Sequence, residues 1–115
     1  MSKRDIKFLL EDILESGKKI QNYTQDYSFE NFIQDNKTVD AVVRNLEIIG
    51  EAANRIPEEF TTLNPEIPWR SLVGLRNRIV HEYFGIDLEI IWNVRTFDLP
   101  ECIDWIETIL ENDFK

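Results

Sequence analysis

What most limits the fold of this chain is the spacing of its apolar residues. They recur every three to four positions through most of its length and nowhere alternate with polar residues at period two. From Lys3 to Tyr23, the residues Ile6, Leu9, Leu10, Ile13, Leu14 and Ile20 share one helical face, and Ser2 followed by Asp5 has the form of a capping box. Ser28 is placed to cap a short helix carrying Phe29, Phe32 and Ile33. A longer helix begins near Thr38, sets Val39, Val42, Val43, Leu46, Ile49, Ala53 and Ile56 on one stripe, and stops before Pro57. The stretch PEEFTTLNPEIP predicts a loop with one helical turn. A further helix opens at Pro68-Trp69 and runs toward Tyr83, with Gly85 as its C′ residue. Asp87 caps a segment from Leu88 to Phe97, and Asp98 starts a last helix that turns Leu99, Cys102, Ile103, Ile106, Ile109 and Leu110 inward. These readings predict an all-α fold: an antiparallel up-and-down bundle of four long helices plus a short one, forming one domain over residues 1–115.

Composition narrows the function. No apolar run approaches the roughly 20 residues needed to cross a bilayer, and MSKRDIKFLLED places acids where a secretory signal needs an unbroken apolar stretch. With no membrane association expected and a lone cysteine, Cys102, that rules out an internal disulfide framework, the expected location is cytoplasmic. One histidine and one cysteine are too few for a dedicated zinc site, so neither metal nor other cofactor is expected.

The net charge of −9 opposes nucleic-acid binding on its face, but the charge is unevenly spread. Residues 87–115 carry eight acids against Arg95 and Lys115, whereas residues 68–86 carry Arg70, Arg76 and Arg78 against Glu82 alone.

That locally basic helix is also anomalous in its pattern. Placed on a wheel, Trp69, Leu72, Val73, Ile79 and Val80 cluster as a core stripe, and Arg76 and Tyr83 fall on the same stripe. An arginine amid apolar residues is costly unless paired or facing a cavity. A second stripe, Arg70, Gly74, Asn77 and His81, is polar or tiny, and Gly74 leaves room for a partner to approach. Each residue has an ordinary structural explanation: an internal ion pair for Arg76, a helix-dipole contact for His81, a core edge for Tyr83. Jointly, with Asn77, they favour a site.

The segment Arg76-Asn77-Arg78-Ile79-Val80-His81-Glu82-Tyr83 has the form R-x4-H-x-Y, within IPWRSLVGLRNRIVHEYFGID, and RNLEIIGEAA lies upstream at residues 44–53. Both blocks, and the order of helices around them, resemble the HepT-like toxins of the HEPN family over essentially the whole chain. The resemblance implies a homodimeric helical bundle that cleaves RNA without metal. It also implies a cognate minimal nucleotidyltransferase antitoxin, as in type VII-like toxin–antitoxin pairs, that transfers AMP onto the motif tyrosine, here Tyr83.

The residues can support such chemistry. Attack of a ribose 2′-oxygen on phosphorus needs a base, an acid and positive charge on the phosphorane; histidine suits both proton transfers and arginine the anion. The chain has one histidine, so a two-fold dimer is needed to supply a second His81. Arg76 and His81 are the expected catalytic residues, with Asn77 and Glu51 in support; Glu51 is expected to pair with Arg76 or Arg44. On a straight helix His81 lies about 140° around from Arg76, so the two act within one chain or across the dimer. The competing reading is a non-catalytic helical dimer that binds or scaffolds a nucleotidyltransferase.

Overall fold

The computed structural model describes residues 1–114. Seven helices follow one another, α1 (Lys3–Tyr23), α2 (Phe29–Gln34), α3 (Asn36–Arg55), α4 (Glu58–Leu63), α5 (Trp69–Glu82), α6 (Leu88–Asn93) and α7 (Leu99–Asp113), with no strand among the described residues. The expected bundle is present, with α1, α3, α5 and α7 as its long members.

The local signals explain most boundaries. Ser2 Oγ accepts from Asp5 N–H at 3.1 Å while Ser2 N–H donates to Asp5 Oδ2 at 3.2 Å, closing the capping box of α1. Ser28 and Asn31 repeat the arrangement at α2. The start of α3 is two residues earlier than the apolar stripe suggests, because Asp35 is its cap. Asp35 accepts from Thr38 N–H at 3.2 Å and from the Tyr27 hydroxyl at 2.6 Å. These hydrogen bonds, Tyr27's first, hold its carboxyl below the ordinary carboxylate range.

Three expectations need correction. The proline-flanked stretch after α3 forms the six-residue α4 rather than a loop with one turn. The end of α5 tightens into a 3₁₀ turn over Tyr83–Gly85, and Gly85 has no positive φ, so it is not a C′ cap. The segment expected from Leu88 to Phe97 is an α-helix only as far as Asn93; a π-turn over Val94–Asp98 carries α6 into α7, which starts after Asp98 as expected. Pro100 has no N–H for the carbonyl one turn back, and the interrupted ladder widens there. Arg95 ties this turn to the end of α1. Its guanidinium donates to Thr24 Oγ1 and to the Thr24 carbonyl, each at 2.8 Å, and lies 4.4 Å from the Trp92 ring centre.

The core is assembled around α3, which packs against α1 on one side and α5 on the other, while α7 closes on α1. Leu10, Ile13, Leu46, Ile49, Ile79 and Ile106 are completely or almost completely buried. Each such side chain contributes about 1.5–3 kcal/mol relative to exposure, which outweighs any single cap in holding α5, and the residues it carries, against α3.

Candidate active site

The face that α5 turns to the core is narrower than its wheel suggests. Trp69, Leu72, Leu75 and Ile79 are buried, but Val80 is 46% exposed and Tyr83 43% exposed. The expected place of Val80 and Tyr83 on the core stripe is therefore wrong. The stripe is centred on the Leu72–Leu75–Ile79 line, and the 3₁₀ turn takes Tyr83 off the helix altogether.

Arg76 is the member of this face that needs explanation. It lies on the α3 side of α5, and its guanidinium forms an ion pair with Glu51 of α3. Its Nη1 donates to Asn77 Oδ1 at 2.8 Å, while Nε is buried without a partner. The carboxylate compensates part of the cost of sheltering the cation. Of the two partners considered for Glu51, Arg76 is the one found; Arg44 lies 3.8 Å from Glu47 instead.

The pairing depends on how closely α3 and α5 approach. A Cβ on Gly50 would collide with Arg76 Cβ and lie 2.7 Å from the Leu72 carbonyl oxygen. Only a residue without a side chain lets the two backbones come this close. Gly50 is thus a structural determinant of the site that sequence reasoning missed, although an isolated glycine inside the RNLEIIGEAA helix was the available signal.

The structure therefore brings Arg76, Asn77 and Glu51 together. His81 and Tyr83 stand apart from them. His81 is exposed one turn beyond Asn77 on the outer stripe of α5, and Tyr83 is exposed with its ring edge-on to Phe84, centroids 5.3 Å apart. Phe84 itself is fully exposed. Within one chain, the guanidinium is anchored against α3, while the imidazole and the phenol face outward apart from it.

A family model described as "Ribonuclease HepT-like" matches residues 13–109, a span that contains Gly50, Glu51 and the whole Arg76–Tyr83 motif. The chain belongs to the HepT-like ribonuclease family. "Probable ribonuclease HepT" of Thermococcus cleftensis is 46% identical over 98 residues, covering 85% of this chain and 89% of that protein. "Putative RNase MJ0127" of Methanocaldococcus jannaschii is 43% identical over 112 residues, covering 97% and 93% respectively. No solved structure matches. In this HepT-like chain, one anchored guanidinium and one exposed imidazole lie on the same helix. No helix of the described residues is long and apolar enough to cross a membrane.

Proposed function

We propose that this chain is a metal-independent endoribonuclease toxin of a type VII-like toxin–antitoxin pair, acting in the cytoplasm as a homodimer. The observation that carries the reading is Arg76, held by Glu51 and Asn77 at the edge of α5, with His81 exposed on the adjacent stripe. Because these two side chains point to different sides of the helix, a second copy is needed to complete a site. Two-fold pairing at the His81 end of α5 supplies two His81 imidazoles to one cleft.

In that cleft, one His81 takes the proton of a ribose 2′-hydroxyl as its oxygen attacks the neighbouring phosphorus. Arg76 offsets the negative charge of the phosphorane. The P–O5′ bond breaks, and His81 of the second copy gives its proton to the departing oxygen. The products are a 2′,3′-cyclic phosphate and a free 5′-hydroxyl. The three arginines of α5, doubled by the dimer, supply the local positive charge that the net charge of −9 lacks.

The exposed Tyr83 hydroxyl is open to modification by a minimal nucleotidyltransferase antitoxin. The phenolic oxygen attacks the α-phosphorus of ATP, pyrophosphate leaves, and the phenolic proton is lost to solvent. The AMP group then adds a bulky anion to the cleft, which repels and blocks RNA.

The deciding experiment is incubation of the purified protein with RNA in excess EDTA. Cleavage ending in 2′,3′-cyclic phosphate, abolished by His81→Ala, is the expected result. No cleavage by the wild-type protein, together with stable binding to a nucleotidyltransferase, would favour the non-catalytic scaffold instead.

A further inference from the structure

A groove of about 570 Å³ opens between the end of α3, α4 and the outer stripe of α5. It lies within the roughly 300–1,000 Å³ range of small-molecule sites. Ile56 and Val73 give it apolar lining; Asn54, Arg70 and Asn77 give it polar lining. Asn77 belongs both to this groove and to the Arg76 cluster, so the groove is a continuation of the candidate active site.

Two features show that the groove is not required by the fold. Gly74 also lines it, and a Cβ built on Gly74 meets nothing within 4 Å. Glycine in mid-helix is less stable than alanine, and no part of this chain uses the space that its missing side chain leaves. Arg70 is the second feature. Arg76 is paired with Glu51 and Arg78 with Glu82, whereas Arg70 is exposed with no carboxylate partner among the described residues. Glu58, on the α4 wall, is the one acid of the lining, which leaves the positive side of the groove on α5.

Building on the ribonuclease reading, we propose that this groove is a subsite for a nucleotide flanking the cleaved bond. Arg70 takes its phosphate, and the apolar lining beside Gly74 takes its base. Arg70, Gly74 and Asn77 follow one another at four- and three-residue steps along a single face of α5. Arg70 lies about 9 Å from Arg76 along the helix axis and about 120° around it, so a single strand held at Arg76 reaches Arg70 by crossing α5 over Asn77, the residue shared by the groove and the Arg76 cluster. Sequence preference, if the enzyme has one, is read here rather than at Arg76, which sees only phosphate.

The test is equilibrium binding of a labelled, 2′-O-methylated, mixed-sequence oligoribonucleotide to the full-length protein, alongside cleavage of unmodified RNA. Gly74→Leu fills the groove from a position where the fold has room for the side chain, and it weakens binding by roughly tenfold or more; Gly74→Ala falls between it and the wild type. Arg70→Ala weakens binding similarly and reduces the salt-dependence slope by about one. Oligomeric mass stays that of the wild type in all three. Wild-type affinity in Gly74→Leu, or in Arg70→Ala, would overturn the subsite. Loss of the dimer in Gly74→Leu would assign the groove to a second copy of the chain. If the wild-type protein cleaves RNA and both variants match it, the subsite alone is lost. If the wild-type protein neither binds nor cleaves RNA, the ribonuclease reading falls with it.

Discussion

Gly50 of α3 lies directly against Arg76 of α5, so close that even a methyl group on the glycine would strike the arginine's Cβ and the Leu72 carbonyl. The cation thereby starts from the helix–helix seam, with Glu51, the residue next to Gly50, in position to pair with it. Gly50→Ala is expected to push α3 and α5 apart, costing about 1–3 kcal/mol as overpacking does. Denaturant unfolding measures that loss. The variant should also cleave RNA poorly under conditions where it is fully folded, because Arg76 moves with α5. Unchanged stability would show that the two helices do not meet as described.

His81 projects outward, and the proposed cleft needs two of them. A mixed dimer of one wild-type and one His81→Ala chain should therefore lose roughly 100-fold in rate or more, the scale of removing one proton-transfer group. Two independent sites would retain half the activity instead. Single-turnover cleavage by purified mixed dimers separates these outcomes.

Tyr83 is exposed and touches neither Arg76 nor Glu51 in the chain, which suits an acceptor better than a proton-transfer group. Tyr83→Phe should keep most of its RNA cleavage but gain no AMP when incubated with a cognate nucleotidyltransferase and ATP. Intact mass spectrometry reads the difference. An AMP adduct on the phenylalanine variant would move the modification to another residue.

Cys102 is buried in the α7 core, and its thiol is pushed up from its ordinary 9.0 to about 12, first by burial and then by the nearby Asp98 carboxylate. The folded state therefore keeps this proton where the unfolded state has lost it. Stability should be unaffected by this group below about pH 9 and should fall as pH rises from there toward 12, by at most about 1.4 kcal/mol per pH unit. Cys102→Ser removes that dependence. In the native protein at neutral pH, the thiol should react with disulfide reagents only at the rate of unfolding; rapid labelling would contradict its burial.

The bundle was legible in the sequence because burial of one helical face leaves a periodic record. Leu9, Leu10 and Ile13 in α1, and Val42, Leu46 and Ile49 in α3, are where the 3.6-residue spacing puts them. The caps at Ser2 and Ser28 are equally local and equally readable. The π-turn was not legible, because a proline in a first helical turn and one relieved by a widened turn look alike until Arg95 is seen gripping Thr24. The position of Val80 was misjudged for a related reason. Its wheel angle places it near the apolar stripe, but which side chains of a wide stripe are covered depends on where the neighbouring helices lie.

The motif residues themselves were chosen by sequence: Arg76, Asn77, His81 and Tyr83 share one short segment, and their spacing alone put the arginine and the histidine on different sides of the helix. Tertiary structure decided what each faces. It settled Glu51's partner as Arg76 rather than Arg44, revealed Gly50 as the contact that permits the pairing, and left Gly74 facing open space. The physical reason is range. Helical periodicity and capping act within a few residues, whereas an ion pair or a backbone clash joins α3 to α5 across about 25 residues of chain, a distance at which spacing carries no information.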